Sequence, residues 1–382
     1  FHLACNRFAE RTALVDASVR LTFAEIASRV DAVARGLAAI GVGRGTVVSV
    51  QLPNWWETAV LYWALIRLGA VLNPVLPAYR ERELEFIVRE GGAEVVVVPG
   101  RFRKFDHRPL ANRLRERNPS LRSVIVVRDD PAPGQTPFTA LPEAAAEPGL
   151  EPRGEDLLLL MYTSGTTAEP KGVLHSHQTL LYEVRSLERV HSLSHRDVTL
   201  MPSPLTHVSG LIHAVLLPFV LGTRAVLMEQ WNVDLALDLI ERESVTYMVG
   251  APVFLSELAF HSRTAAAPPK TLRLFSCGGA GVSPELILES RRRLGCVSKR
   301  VYGSTELPTL TTTGADDPPE RGASTEGRPI GASEVRIVDE DGREVSPGRE
   351  GEVLGRGPDC FLGYRNPALD REAFTSDGWF RT

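Results

Sequence analysis

The sequence predicts an α/β fold, with two α/β subdomains on mainly parallel sheets followed by a small β-barrel-like subdomain. Short β-rich runs alternate with segments of helical period, as they do in units built on parallel sheets. Nearly every run is continuously apolar, which indicates burial on both faces and therefore helices that cover the sheets. The predicted strands are residues 47–52, 94–98, 123–127, 157–162, 225–228, 246–249, 272–276 and 300–302.

The predicted helices that cover these sheets are residues 55–68, 180–190, 233–242 and 284–294. The last has the clearest start. Ser283 can accept hydrogen bonds from the unpaired N–H groups of the first turn, and Pro284 stands at the first helical position, where a missing donor costs nothing. We therefore expect its N-terminus to point back at the Gly-rich turn before it.

After about residue 310 the sequence changes to Gly, Pro and Asp turns between short alternating strands. Strands are predicted over 334–338 and 351–356, with a turn at Asp341-Gly342 between them. The predicted domains are an α/β region of two subdomains over 1–310, joined by a Pro- and Ala-rich connection, and a small β-subdomain over 311–382. Because the sequence starts with Phe rather than Met and stops abruptly, both ends are expected to be boundaries within a longer chain.

Composition excludes several classes of protein. Of 382 residues, 43% are hydrophobic and 24% charged, as in globular proteins with two or three packed units. The net charge of -4 gives no basic field for nucleic acid. The most apolar stretches, 59–76 and 211–221, are interrupted by Arg67 or by His213 and Pro218, so no integral membrane contact is expected. Four scattered cysteines argue against zinc and disulfides and favour the cytoplasm.

A phosphate-binding loop is indicated directly after the apolar strand that begins at residue 157. Residues 162–172 read Tyr-Thr-Ser-Gly-Thr-Thr-Ala-Glu-Pro-Lys-Gly. Small hydroxyl residues and Gly leave N–H groups able to converge on phosphate oxygens, and Lys171 adds a mobile positive charge. Because Pro170 precedes the lysine and Gly172 follows it, this is not the G-x-x-x-x-G-K-[ST] loop, and no helix is expected to begin there. A polar surface turn is the alternative.

Two further turns follow predicted strands. Residues 277–281, Cys-Gly-Gly-Ala-Gly, lack bulk, so a flat ring can lie against the backbone with its purine edge at main-chain groups. Alone, such a turn is more often a packing feature between strand and helix. Residues 302–306, Tyr-Gly-Ser-Thr-Glu, offer an aromatic face, two hydroxyls and a carboxylate, which suit a ring, a phosphate and magnesium. Together the three turns supply the parts of one ligand, ATP with Mg²⁺.

These residues give the chain a family resemblance. It resembles the adenylate-forming (AMP-binding) superfamily of acyl-CoA synthetases, peptide-synthetase adenylation domains and luciferases, and in particular the large N-terminal domain of the acyl-CoA synthetase and fatty-acid–CoA ligase branch. Besides the three turns, the matching stretches are Leu-Gly-Ala-Val-Leu-Asn-Pro at 68–74, Pro-Leu-Thr-His-Val-Ser-Gly at 204–210, Gly-Glu-Val at 351–353 and Gly-Tyr at 363–364. The resemblance runs through essentially the whole chain.

Three departures from the family pattern matter. Ala168 stands where the phosphate loop usually has Gly, and Gly281 replaces a frequent Pro beside the presumed adenine. The family's Thr-Gly-Asp segment, whose Asp holds the ribose, breaks off after Thr382, and the C-terminal domain with its catalytic Lys is absent from the sequence. The 382 residues are therefore expected to bind ATP and the acid more effectively than they catalyse the reaction between them.

The resemblance also implies roles for individual residues. Lys171, His207, Thr305 and Glu306 are expected to be catalytic: Lys171 at the β- and γ-phosphates, Thr305 at the α-phosphate and His207 near the substrate carboxylate. Glu306 with Thr163 is expected to ligate Mg²⁺. The residues expected to bind ATP are Thr163, Ser164, Gly165, Thr166, Thr167, Lys171, Gly278, Gly279, Ala280, Tyr302, Gly303, Ser304 and Thr305.

The acid pocket is expected to be apolar and uncharged. Its expected lining is His207, Val208, Ser209, Gly210, Leu211, Ala251, Pro252 and Val253, with parts of 275–279. Such a lining predicts a small aliphatic or alicyclic acid rather than a dicarboxylate, and the run 228–255 is most similar to medium-chain and cyclohexanecarboxylate ligases. Residues 206–209 offer no carboxylate to pair with a substrate ammonium, so an amino-acid substrate is disfavoured.

The predicted function is ATP-dependent activation of a carboxylic acid to acyl-AMP and pyrophosphate, followed in the full-length enzyme by thioester formation with CoA as co-substrate. This would place the protein in cytoplasmic fatty acid metabolism. Two alternatives stay open: an acyl-adenylate ligase that loads a carrier protein, and an ATP- and acyl-binding fragment without turnover. The acid and the oligomeric state do not follow from the residues, although a homodimer is compatible with them.

Overall fold

The computed structural model describes residues 1–141, 152–163 and 169–382. They fall into two compact units: Phe1–His177 with Pro204–Leu211, and Gln178–Ser203 with Ile212–Thr382. Within the described ranges, no helix combines the length and the apolar character needed to cross a membrane.

The helices and strands of the described residues are numbered in chain order. The helices are α1 His2–Arg7, α2 Phe23–Ala39, α3 Trp56–Arg67, α4 Glu81–Gly91, α5 Arg108–Arg117, α6 His177–Val190, α7 Val208–Gly210, α8 Leu217–Leu221, α9 Val233–Arg242, α10 Pro252–Phe260, α11 Ser262–Ala266, α12 Pro284–Leu294, α13 Pro319–Ser324 and α14 Asp370–Ala373. The strands are β1 Thr12–Val15, β2 Arg20–Thr22, β3 Val47–Val50, β4 Val71–Pro74, β5 Val95–Pro99, β6 Arg101–Phe102, β7 Phe105–Asp106, β8 Ser123–Val127, β9 Thr136–Pro137, β10 Leu157–Thr163, β11 Lys171–Ser176, β12 Val198–Met201, β13 Arg224–Leu227, β14 Tyr247–Gly250, β15 Leu274–Gly278, β16 Val297–Tyr302, β17 Thr311–Thr312, β18 Arg328–Pro329, β19 Glu334–Val338, β20 Glu352–Arg356, β21 Gly363–Tyr364 and β22 Phe380–Arg381.

The first unit is built on a sheet in which the strands follow the order β11-β10-β4-β3-β5-β8-β9. Its strands pair in parallel except for β10 and β11, which form an antiparallel hairpin. Every residue of β5 is buried, as its unbroken apolar run predicts. Helices α4 and α5 contribute Leu84, Ile87, Leu110 and Leu114 to the core beneath this sheet. Burial of one such side chain contributes about 1.5–3 kcal/mol.

The second unit is built on a sheet in the order β18-β17-β16-β15-β14-β12-β13. The five strands from β12 to β16 run parallel, and β17 and β18 extend the sheet antiparallel. A separate antiparallel sheet, β19-β20-β22, packs around the buried Trp379. Strands β17 and β18, which follow residue 310, belong to the larger sheet. The predicted domain boundary at residue 310 stays a prediction.

The α/β prediction with mainly parallel sheets is confirmed, and several predicted bounds agree with the structure. The elements at 123–127, 233–242, 284–294 and 334–338 have the predicted limits. The predicted cap is also present, because the Ser283 hydroxyl accepts a hydrogen bond from the Leu286 N–H at 3.2 Å.

Other predicted limits were wrong by a few residues. Helix α6 begins at His177 instead of 180, directly after β11. Strand β15 runs to Gly278 instead of ending at 276, and β16 begins at Val297 instead of 300. The last difference has a physical cause: Lys299 is fully buried and donates a hydrogen bond to the Thr313 carbonyl, so a charged residue occupies a core position of the strand.

Candidate functional site

The carboxyl ends of neighbouring parallel strands bring several predicted site residues to one edge of the second unit. Gly250 at the end of β14 pairs with Cys277 of β15, and Gly278 of β15 pairs with Val301 of β16. The chain leaves these strands into Ala251-Pro252, into the Gly-rich turn and into the Tyr302–Glu306 turn, respectively. In open α/β sheets, ligands bind outside the carboxyl ends of the strands.

The same edge contains a topological switch point. Along the chain, β12 is followed by β13 on one side of it, whereas β14, β15 and β16 follow on the other side. Such a reversal opens a crevice between the helices that leave the two sides. The crevice therefore lies between the carboxyl ends of β12 and β14, on the same edge as the two predicted turns of this unit.

The Gly-rich turn has open space on the side where a flat ligand would lie. Gly279 has a φ of +79°, a conformation that side chains rarely adopt, and no atom lies within 4 Å of the position that a Cβ would take there. Gly281 is equally open, and both residues are exposed. At Gly278, by contrast, a Cβ would lie 2.4 Å from the Val301 carbonyl oxygen. Gly278 thus permits close packing of β15 against β16, and Gly279 and Gly281 leave the backbone of the turn accessible.

The Tyr302–Glu306 turn is fixed by its own backbone. The Ser304 N–H donates to the Leu307 carbonyl at 3.0 Å, and the Leu310 N–H donates to the Tyr302 carbonyl at 2.9 Å. Gly303 is required there, since a Cβ would lie 2.1 Å from the Pro308 carbonyl oxygen. The turn leaves Gly303 and Ser304 exposed and Thr305 half-buried. The Ser304 hydroxyl accepts a hydrogen bond from the Glu306 N–H at 3.2 Å, and the phosphate-binding role of this turn stays a prediction.

Glu306, the predicted magnesium ligand, is held by a residue to which sequence reasoning gave no role. The Tyr364 hydroxyl donates to Glu306 Oε1 at 2.8 Å, and the Phe361 N–H donates to the Glu306 carbonyl oxygen at 2.8 Å. Both side chains are buried, and burial raises the pKa of the Tyr364 hydroxyl above its usual range, so the phenol stays protonated as the donor. The signal in the sequence that could have pointed to Tyr364 was the Gly-Tyr stretch at 363–364, which matches the family pattern.

The surroundings of Glu306 fit a magnesium ion bound together with a nucleotide. Among the described residues, Oε2 has no hydrogen-bond donor, and no group of three or more His, Cys, Asp or Glu side chains could hold a metal ion by itself. Magnesium is usually held by one or two carboxylates plus substrate phosphates rather than by an all-protein cage. The donor set present thus suits Mg²⁺ brought in with ATP.

In the first unit, the predicted phosphate loop connects the two strands of a hairpin. Thr163, the last residue of β10, pairs with Lys171, the first residue of β11. As expected, a strand and not a helix begins at the lysine, which is exposed. The predicted ligands Ser164, Gly165, Thr166 and Thr167 lie outside the described residues.

The predicted acid-site segment 204–211 is a tight turn of the first unit. The Leu205 N–H donates to Asn54 Oδ1 at 2.7 Å, and the His207 N–H donates to the Pro204 carbonyl at 2.9 Å. Gly210 lies so close that a Cβ would be 2.1 Å from the Pro204 carbonyl oxygen. The His207 side chain is exposed, although the protein around it lowers the pKa of the imidazole by desolvation. Desolvation favours the neutral form of the imidazole, which can both donate and accept a hydrogen bond.

The structure brings Ala251, the Gly-rich turn and the Tyr302–Glu306 turn together on adjacent strands. Thr163, Lys171 and residues 207–211 belong to the first unit, and their assigned roles stay predictions. Sequence reasoning gave no role to Tyr364, which contacts Glu306. Within the run 228–255, Trp231 after β13 packs on Phe254 after β14, with ring centroids 4.6 Å apart.

Comparison with known proteins identifies the family. A family model described as AMP-binding enzyme matches residues 1–365. The chain belongs to the AMP-binding enzyme family. It is 35% identical over 393 residues to a 2-hydroxy-7-methoxy-5-methyl-1-naphthoate–CoA ligase of Streptomyces carzinostaticus, covering 99% of this chain and 70% of that protein.

Two further relatives differ in acid and acceptor. The medium-chain fatty-acid–CoA ligase of Escherichia coli (strain K12) is 32% identical over 365 residues, 94% of this chain and 64% of the relative. A salicyl-AMP ligase / salicyl-S-ArCP synthetase of Mycobacterium tuberculosis (strain ATCC 25618 / H37Rv) is 34% identical over 398 residues, 99% of this chain and 68% of the relative.

Solved structures of AMP-binding enzymes share the fold. Apo MbtA of Mycobacterium smegmatis superposes with a TM-score of 0.91 at 33% identity, covering 100% of this chain and 70% of that chain. The N-terminal domain of FACL13 from Mycobacterium tuberculosis gives a TM-score of 0.87 at 27% identity, covering 100% of this chain and 94% of that domain. The predictions of family, fold class and an acid–thiol ligase that forms an acyl adenylate are therefore confirmed.

The names of the relatives bear on the finer predictions. They act on small carboxylic acids, and naphthoate and salicylate ligases stand beside the fatty-acid ligase. The relatives do not support restriction to an aliphatic or alicyclic acid. Fatty acid metabolism, the cytoplasm and a homodimer stay predictions.

Proposed function

We propose that this AMP-binding enzyme activates a small aromatic carboxylic acid to its acyl adenylate and that the whole protein then transfers the acyl group to the thiol of CoA. The observation that carries the proposal is the meeting of Ala251-Pro252, the Gly-rich turn and the Tyr302–Glu306 turn at the carboxyl ends of β14, β15 and β16, near the switch point. Relatives named for naphthoate and salicylate support the aromatic class. Because the chain spans between 64% and 70% of the lengths of these relatives, turnover by the whole protein is part of the proposal.

In the proposed adenylation step, a carboxylate oxygen of the acid attacks the α-phosphorus of ATP. A bond forms between these atoms, the bond from the α-phosphorus to the bridging oxygen breaks, and pyrophosphate leaves. The accessible backbone of Gly279 and Ala280 and the ring of Tyr302 would hold adenine. The hydroxyl of Thr305 would donate to the α-phosphate, where negative charge accumulates in the transition state.

Lys171 would supply the cation for the β- and γ-phosphates, and neutral His207 would orient the substrate carboxylate. Glu306 and Thr163 would hold Mg²⁺, which supplies Lewis-acid neutralisation of phosphate charge when it is bound. Tyr364 keeps the Glu306 carboxylate in one orientation, so its second oxygen is presented in a fixed direction. In this scheme most of the rate enhancement comes from positioning and charge compensation.

A carrier-protein thiol is the second candidate acceptor, since the salicyl-S-ArCP synthetase is as similar to this chain as the CoA ligases are. Adenylation is common to both candidates. A product assay with CoA, and in parallel with a phosphopantetheinylated aryl carrier protein, separates them. Formation of the thioester on the carrier alone would replace CoA in the proposal.

Acid-dependent ATP–pyrophosphate exchange tests the adenylation step. We expect exchange with aromatic acids from the 382-residue chain and faster exchange from a form that carries the predicted C-terminal lid domain. The rate of exchange should fall about 100- to 1,000-fold in Lys171→Ala and in Glu306→Ala, the range for removal of one preorganised electrostatic contact. Lys270→Ala and Glu340→Ala, at exposed positions, are the matched controls. Unchanged exchange in both site variants would falsify the assignments.

A further inference from the structure

At the end of strand β14, an aromatic ring occupies the space that a side chain of residue 250 would take. Gly250 is the last residue of β14, and an ideal Cβ on it would lie 2.6 Å from Phe254 Cδ2 and 3.2 Å from Cε2. Helix α10 begins two residues later at Pro252, so its first turn places Phe254 back over the strand. The glycine therefore allows the ring to lie against the backbone at the carboxyl end of β14.

A second aromatic residue holds this ring from the other side of the switch point. Trp231 follows β13 and packs on Phe254 with centroids 4.6 Å apart and planes inclined by 42°. Its indole Nε1–H donates to Glu257 Oε2 at 2.5 Å, and Glu257 lies on α10 one turn after Phe254. Strand β12 lies between β13 and β14 in the sheet. The aromatic pair thus spans the carboxyl end of β12, where the switch-point crevice opens.

The crevice has two chemically different sides. The phosphate- and metal-binding groups that the second unit contributes to the proposed site follow β15 and β16, on the far side of β14 from β12. The side next to β12 offers the rings of Trp231 and Phe254, both only partly buried. The Phe254 ring is half-buried, and Trp231, which is itself hydrogen-bonded, fixes its position. Such a ring offers a flat apolar surface on which the ring of an aromatic acid can pack in an offset-stacked or edge-to-face arrangement.

We propose that Phe254, fixed by Gly250, Trp231 and Glu257, is a specificity-determining residue that selects planar aromatic acids over flexible aliphatic ones. This inference rests on the proposed function, because it assigns the substrate class of the same site. Phe254 is not among the residues that the sequence predicts for the lining, although it lies in the run 228–255. Gly250 is required for the arrangement, since a Cβ at that position would displace the ring.

The test is the ratio of kcat/KM for an aromatic acid, salicylate, to that for octanoate in ATP–pyrophosphate exchange. We expect Phe254→Leu to lower this ratio by about tenfold, the lower end of the discrimination that a hydrophobic pocket provides. Gly250→Ala should lower it in the same direction by displacing the ring, while the KM for ATP stays within about twofold in both variants, since adenine contacts come from other strands. Phe260→Leu, at a half-exposed position at the other end of α10, is the matched control and should leave the ratio unchanged.

The outcomes separate the two proposals. Wild-type exchange with an unchanged ratio in Phe254→Leu would overturn this inference alone and reduce Phe254 to a packing residue. No exchange with any acid in the wild type overturns the proposed function and this inference with it. Phe254→Tyr retains the ring and should retain the ratio. If Phe254→Leu does not fold, Trp231→Leu, which removes the support of the ring, must lower the ratio in the same way or the inference fails.

Discussion

Removal of one hydroxyl group should loosen the backbone that carries Glu306. In Tyr364→Phe the ring stays in place, so its contact with Phe361 at 4.9 Å between centroids remains, and only the hydrogen bond to Glu306 Oε1 is lost. A hydrogen bond to a charged group contributes about 1.5–3 kcal/mol. Because 1.4 kcal/mol corresponds to a factor of ten, the opening equilibrium of this segment should shift about 10- to 100-fold.

The Phe361 amide reports that opening, since its N–H donates to the Glu306 carbonyl oxygen. Native-state hydrogen exchange of a peptide covering residues 359–366 should therefore be about 10- to 100-fold faster in Tyr364→Phe. Tyr79→Phe, which removes a hydroxyl in the other unit, is the control and should leave this peptide unchanged. If exchange accelerates less than about threefold, Tyr364 does not fix Glu306, and the reasoning from this hydrogen bond is refuted.

Two further predictions concern a buried charge and a turn. Desolvation lowers the pKa of Lys299 from 10.5 to about 8, so the folded state binds fewer protons than the unfolded state and stability rises with pH. Between pH 7 and 9 the wild type should gain about 1 kcal/mol over Lys299→Met in the free energy of unfolding, and an equal pH response in both would contradict the burial argument. Gly303→Ala should reduce pyrophosphate exchange at least about tenfold, because the Cβ would collide with the Pro308 carbonyl oxygen and the turn must move. Gly43→Ala, where no atom lies within 4 Å, should retain activity, and full activity of Gly303→Ala would show that the turn tolerates movement.

Buried strands could be predicted from the sequence because their environment imposes a one-dimensional pattern. The run of four valines in β5 is apolar on both faces since both faces are covered, and the structure buries all of them. The predicted turns were equally accessible to sequence reasoning, because Gly-rich segments directly after such strands have a fixed place in parallel α/β units.

The longest helix, α2, was not among the predicted elements, although a local signal for it exists. Thr22 and Glu25 form a capping box, in which the Thr22 side chain accepts from the Glu25 N–H and Glu25 Oε2 accepts from the Thr22 N–H at 2.8 Å. The pattern T-x-x-E before an apolar run predicts such a start. The sequence thus contained a local signal for α2 that was not used. No such local signal was missed for the start of β16, which was assigned too late.

The interior position of Lys299 and the contact of Tyr364 with Glu306 could not be predicted from local sequence. A lysine in a run predicts a solvent-facing position, and only the surrounding chain removes it from water and supplies the Thr313 carbonyl as acceptor. Tyr364 lies 58 residues after Glu306 in the sequence. No periodicity links them, so their pairing follows from the packing of the segment that contains Phe361.

In the proposed site, the side of the crevice that receives the acid can change while the nucleotide side stays the same. The nucleotide side of the second unit depends on backbone geometry: a positive φ at Gly279 and a close approach at Gly303, both of which tolerate little change. In the proposed site, the side next to β12 depends on the rings, since Phe254 fills the space over Gly250. Replacement of those rings leaves the phosphate-binding turns on β15 and β16 in place. Relatives that are 32–35% identical to this chain can thus be named for naphthoate, salicylate or a fatty acid. In the proposed arrangement, selectivity comes from side chains on α10 and after β13, whereas adenylation depends on Lys171, on Glu306 and on the turns that follow β15 and β16.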